Sequence, residues 1–130
     1  MSYNCTRTFI ADGAITEYAV VSMTAAGKVS VTTAATDVAV VGVAQRACAS
    51  GDAVEVIVHG ETRVIAGESI TFNSAPLLAA TTAGKVQSVN PSGDPSFFQI
   101  ARALPNINQT SAAADVQFLA FFTGPHGLNT

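Results

Sequence analysis

Apolar residues in this chain recur at every second position, in short runs bounded by glycines, and that spacing allows little besides β-structure. Val29 and Val31 fall on one side of such a run, with Lys28, Ser30 and Thr32 on the other. Val54, Val56 and Val58 share a face, opposite Glu55, Ile57 and His59. Val116, Phe118, Ala120 and Phe122 alternate with Gln117, Leu119, Phe121 and Thr123, so this last run is largely apolar on both sides. A strand of that kind lies between two layers or has one face covered by another subunit. Alanine, the commonest residue, favours helix in isolation. Here it is interleaved with Val, Thr and Gly at period two, which overrides that preference. Turn signals follow one another closely: Asp12-Gly13, Ala26-Gly27-Lys28, Ser50-Gly51-Asp52, His59-Gly60, Ala66-Gly67-Glu68, Ala83-Gly84-Lys85 and Pro91-Ser92-Gly93-Asp94-Pro95. The expected fold is all-β, a compact sandwich or barrel-like single domain over residues 11–124. Only residues 109–115 allow a helical turn, and a loop serves there equally well.

One stretch of sequence echoes another. Ala26-Gly27-Lys28-Val29 recurs as Ala83-Gly84-Lys85-Val86. Each copy precedes an apolar strand, Val40-Val41-Gly42-Val43-Ala44 in the first and Phe97-Phe98-Gln99-Ile100-Ala101 in the second. Each then leads through a loop to a further strand, residues 54–58 and 116–122, with the longer loop (105–114) in the second copy. The expectation is two related three-strand halves packed into one β body; two copies are too few for a solenoid. Residues 1–10 are polar with Tyr3 and Phe9 interspersed, and read as an extended N-terminal arm able to add to a neighbour's sheet edge, or as a first strand or frayed end. Residues 125–130 read as a C-terminal tail.

Only 12% of the 130 residues are charged, about half the usual share for a soluble domain. Either partners cover much of the surface, or Ser, Thr and Asn supply its polarity. The net charge of −3 comes with scattered Lys and Arg, without the basic stripe that nucleic-acid binding requires. No apolar run approaches the ~18 residues of a membrane span. The opening residues lack the apolar stretch of a secretory leader, so synthesis and assembly inside a cell are expected. Cys5 and Cys48 are far apart without CxxC spacing and read as free thiols.

Motifs for chemistry are missing. His59 and Glu61 can share a strand face, but two ligands do not make a zinc site. His126 sits in Gly124-Pro125-His126-Gly127, near the tail. Gly67-Glu68-Ser69-Ile70-Thr71 lacks the second glycine of a nucleophile elbow, and no phosphate-cradling glycine pattern occurs. No catalytic residue, cofactor or metal is therefore expected, and the chain is read as a non-enzyme. Adjacent aromatics stand out instead: Phe97-Phe98 and Phe121-Phe122. Neighbours in a strand point to opposite faces, so in a two-layered sheet one Phe of each pair leaves the core. With Tyr3 and Phe9, these four are candidate interface residues. A tightly curled β body that buries both faces is the competing reading.

The run from Val40-Val41-Gly42-Val43-Ala44 through Ser50-Gly51-Asp52-Ala53-Val54-Glu55-Val56-Ile57-Val58-His59-Gly60 and Val64-Ile65-Ala66-Gly67 resembles phage capsid decoration (cement) proteins. The likeness continues through Ala75-Pro76-Leu77-Leu78, Ala83-Gly84-Lys85-Val86 and Ile100-Ala101-Arg102-Ala103-Leu104 to the closing strand at 115–122. Gln99 departs from it where a glycine is expected, and the loop at 105–114 is long. The resemblance implies a homotrimer on the outer surface of an icosahedral virion shell, bridging major capsid proteins at three-fold positions, without direct contact to nucleic acid or membrane and without catalysis. The alternative carried beside it is a virion-surface module that recognises a receptor or glycan. That reading fits poorly with the absence of Trp.

Overall fold

The alternating runs form strands where period two predicts them, and two small closed rings of strands result. The computed structural model describes residues 4–36, 39–73, 76–89, 97–104 and 109–127. Eleven strands follow in order: β1 (Cys5–Ile10), β2 (Val20–Met23), β3 (Val29–Val31), β4 (Val40–Ala44), β5 (Ala53–Ile65), β6 (Ile70–Thr71), β7 (Leu77–Ala80), β8 (Val86–Ser88), β9 (Phe98–Ala103), β10 (Ser111–Ala112) and β11 (Gln117–Gly127). One 3-10 turn, Thr82–Gly84, precedes β8. Nine strands form a curled antiparallel sheet in the order β3-β2-β4-β5-β11-β9-β7-β8, with β1 paired to β5; β6 and β10 pair with each other. β5 is the longest strand and joins the halves. Its first part pairs with β1, from Ile10 opposite Ala53 to Cys5 opposite His59. Its second part pairs with β11, from Gly60 opposite Phe122 to Ile65 opposite Gln117.

The echo in the sequence is an echo in three dimensions. The hairpin of β2 and β3 sets Val21, Ser22 and Met23 opposite Val31, Ser30 and Val29. The hairpin of β7 and β8 sets Leu78, Ala79 and Ala80 opposite Ser88, Gln87 and Val86 in the same register. Each turn closes with one bond, Thr24 N to Lys28 O at 2.8 Å and Thr81 N to Lys85 O at 2.9 Å. Each half is also drawn into a ring by a parallel bridge, Ala11 to Val29 and Ala66 to Val86. The bonds beside these bridges match, Asp12 N to Val29 O and Gly67 N to Val86 O, both 2.7 Å. So do Gln45 N to Glu55 O and Leu104 N to Leu119 O, both 2.9 Å. The isolated bridge of Ile15 with Cys48 corresponds to the β6–β10 pair, where Ile70 meets Ala112. Strand order β3-β2-β4-β5 in one half is thus β8-β7-β9-β11 in the other, and closing each ring leaves few free edges for unwanted pairing.

Each ring has its own core. Ala11, Ile15, Ala19, Val21, Val29, Ala44, Val54 and Val56 fill the first. The equivalent places in the second hold Ala66, Ile70, Leu78, Val86, Ala103, Phe118 and Ala120, joined there by Phe122 and by Val20, Val40 and Val43 from the back of the first ring. A ring this narrow leaves little interior, which is where the alanines go: Ala11, Ala19, Ala44, Ala66, Ala101, Ala103 and Ala120 are each no more than 3% exposed. The second ring is filled by larger groups. Phe118 and Phe122 are fully buried, and Phe72 lies against Phe118 with ring centroids 5.1 Å apart. Burying each aromatic is worth roughly 1.5–3 kcal/mol in transfer free energy.

Several expectations change in detail. The halves are larger than three strands, because β1, the second part of β5 and the short β6 and β10 also belong to them. The register gives Val40–Ala44 its partner run at 99–103 rather than 97–101, since Ala44 lies opposite Val56 and Ala103 opposite Ala120. The arm expected over 1–10 is, from Cys5 to Ile10, a strand laid along β5 of its own chain; residues 1–3 lie outside the described residues. β11 continues through Gly127, past the boundary at 125 where a tail was expected. Residues 109–115 hold β10 and a turn, with no helical turn. Asp115 there adopts φ 69, which a helix does not accept.

Candidate functional site

Pairing in the second ring sorts its side chains into two faces. Thr62 and Val64 of β5, Phe118, Ala120 and Phe122 of β11, and Ala101 and Ala103 of β9 are all buried. The residues between them point outward. They form cross-strand rows, because opposed residues in an antiparallel pair share a face. One row runs Glu61–Phe121–Arg102 across β5, β11 and β9. The next runs Arg63–Leu119, extended by Leu104, whose N–H donates to the Leu119 carbonyl at 2.9 Å. Phe121, Leu119 and Leu104 are half-buried, as are Glu61 and Arg63, and Arg102 is exposed. The ring of His59 meets Phe121 edge-on, centroids 5.3 Å apart at 88°. The Asn4 side chain accepts from Glu61 N–H and donates to Glu61 C=O, both at 3.0 Å. Among the described residues the ion pairs are Arg46–Glu55 and Lys85–Asp115. Glu61, Arg63 and Arg102 take part in neither. The result is an apolar centre flanked by an unpaired acid and two unpaired bases.

The six residues expected at an interface are dispersed. Tyr3 lies outside the described residues. Phe9 is half-buried and packs on the first core. Phe97 packs with Leu77 against Ala35, Ala79 and Val89. Phe98 is half-buried at the start of β9, opposite Gly127. Phe121 points outward as described. Phe122 is 0% exposed inside the second core and so cannot touch a partner while the chain is folded; its inclusion is corrected. Period two implies that one of the pair 121–122 leaves the core, and burial of Phe118 and Ala120 identifies it as Phe121. Of the charged members of the outer face, Glu61 was noted from sequence only beside His59; Arg63 was not singled out, and Arg102 joins them only through strand pairing. Among the described residues, Ile10, Met23 and Val116 are the exposed large apolar ones, at 41%, 36% and 42%. They are single side chains on separate elements, which soluble surfaces tolerate.

Chemistry-bearing groups are scattered. Among the described residues no three His, Cys, Asp or Glu side chains converge. Cys5 is exposed on β1, Cys48 half-buried beside the first core, and both are unpaired thiols. Arg46 Nε donates to Glu55 Oε1 at 2.9 Å and Arg46 also donates to the Ala53 carbonyl. That hydrogen bond, with Glu55's own backbone N–H, holds the Glu55 carboxyl below the usual carboxylate range. Among the described residues no helix is long and apolar enough to cross a membrane.

Comparison with protein families and with curated proteins finds no match. Among solved structures, the fold is similar to that of the N base of the head fiber gp8.5 in bacteriophage phi29, with a TM-score of 0.66 at 18% identity, covering 95% of each chain. At that identity the likeness establishes that the chain shares the all-β fold of the head-fiber base along nearly its whole length.

Proposed function

We propose that this chain is a structural protein of a phage head, a decoration or cement protein that binds the outer surface of the capsid and bridges major capsid proteins. The observation that carries this reading is the fold likeness to a head-fiber base over 95% of both chains. The resemblance read from the sequence points the same way, although no family model or curated protein matches the chain. So does the low share of charge, 12%. The proposed assembly is a homotrimer, and no catalytic step is assigned to it. Each subunit then needs only a modest patch. Once one patch of a trimer has bound, the others face a high effective concentration of their own sites. Contacts that span several capsid subunits exist only on the assembled shell, so by linkage they stabilise that shell against dissociation. Closed rings suit such a role, because a protein displayed at high density on a surface must not add strands edge to edge.

The test is co-sedimentation of purified protein with expanded heads stripped of their own decoration, alongside light scattering after gel filtration. The proposal expects saturable binding to the heads and a trimer in solution. A protein that ignores the heads, remains a monomer at micromolar concentration and binds a glycan array is a recognition module instead.

A further inference from the structure

The outer face of the second ring is complementary to itself. In the row Glu61–Phe121–Arg102, the acid and the base lie on the two strands that flank the aromatic. Strands in a sheet are ~4.8 Å apart, so the two charged residues stand about 10 Å from each other with Phe121 midway. Neither belongs to an ion pair within the described chain. Suppose a second copy packs its own row face to face on the first. A two-fold axis parallel to the strands places Glu61 of each copy over Arg102 of the other and Phe121 over Phe121. An axis perpendicular to the strands within the sheet plane places acid on acid and base on base, so electrostatics select the first arrangement. In that arrangement Arg63 of one copy lies over Leu104 of the other, where its aliphatic stem can cover the leucine, and the Leu119 side chains meet near the axis. We infer that this face is a two-fold contact between copies of the chain.

The magnitude limits where the contact operates. Three strands and two rows give a backbone footprint of roughly 10 by 7 Å. Even with side chains added, that falls well short of the ~800 Å² per partner that a stable dimer needs. The contact is weak in free solution and becomes effective where copies are already held close, as on a densely decorated shell. It joins copies in pairs and is separate from the proposed three-fold association. It does not depend on the capsid reading, because it is measured without capsids.

The experiment is sedimentation velocity on the full chain from low to high micromolar concentration, with Glu61→Arg, Arg102→Glu and an equimolar mixture of the two variants. Wild type should become heavier as concentration rises. Each variant alone opposes like charges twice across the axis and should associate at least roughly tenfold more weakly. In the mixture every facing pair is again acid on base, so association should return to the wild-type level. That recovery also shows that both variants are folded. The inference is overturned if wild type shows no concentration-dependent growth, or if the single variants associate as wild type does. It is also overturned if mixing fails to restore the contact, because the two variants carry opposite charges at every facing position.

Discussion

Replacing Phe122 by alanine should cost far more than replacing its neighbour Phe121, although sequence treats the two alike. Phe122 has no exposed surface and lies among Phe118, Ile100, Ala101 and Ala120. The strands that line this cavity are hydrogen-bonded into a ring, which restricts collapse into the space left behind. The expected cost is therefore about 3–5 kcal/mol, within the range for buried Phe→Ala changes. Against a total stability of about 5–15 kcal/mol, and for a chain of this size, that lowers Tm by roughly 10–20 °C. Phe121→Ala loses the edge contact with His59 and half-buried area on the outer face. It leaves no internal cavity, and its cost should be about 1 kcal/mol. Urea unfolding with a fixed m-value, checked by thermal melts, measures both. Equal costs, or a larger loss for Phe121→Ala, would refute the assignment of the two faces and with it the row on which the two-fold contact depends.

Three further outcomes follow from the geometry. Gly42→Ala should be severely destabilising in chemical denaturation, because a Cβ there overlaps the Ile57 carbonyl oxygen and the Val56 side chain where β4 meets β5; a variant as stable as wild type contradicts that packing. Gly51 and Asp115 occupy equivalent places, each donating its N–H to the carbonyl at the ring bridge (Ala11 O at 2.8 Å, Ala66 O at 2.7 Å) with φ of 91 and 69. Gly51→Ala should therefore cost about 1 kcal/mol through backbone strain alone, since nothing lies within 4 Å of the new methyl. Asp115→Gly should be neutral or stabilising despite losing its exposed ion pair with Lys85; a Gly51→Ala variant as stable as wild type, or a destabilised Asp115→Gly, in urea unfolding would break the equivalence of the halves. Glu55 has a folded pKa below its unfolded one, so its contribution is present at neutral pH and lost as pH falls through the folded value. In Arg46→Ala the Glu55 carboxyl should titrate higher by NMR, and the small difference in Tm from wild type should vanish in acid; an unmoved titration sinks the pairing.

The class of fold was legible because period two and glycine turns are local signals. Val54, Val56 and Val58 line the first core as their alternation requires, and the repeated Ala-Gly-Lys-Val marks the same corner of both rings. The full extent of the duplication was hidden by unequal loops. Val29 matches Val86, but Ala11 matches Ala66 and Val54 matches Phe118, so the spacing between partners drifts along the chain. β1 carries mostly polar, exposed residues, and its pairing with β5 is fixed by backbone bonds and by Asn4 rather than by any apolar pattern. β6 and β10 are two residues each and leave no periodicity to read. The outer face was half legible. Phe121 could be named from sequence, but not separated from Phe122, and the charges flanking it come from strands about forty residues apart on either side of the β7–β8 hairpin.

Cryo-electron microscopy of stripped, expanded heads saturated with the purified protein would show directly where the chain sits. Added density is expected on the outer surface at three-fold positions, fitted by three copies of the two-ring fold and touching at least two major capsid subunits. Heads that emerge bare, or density resting on a single capsid subunit, would contradict the proposed bridging role.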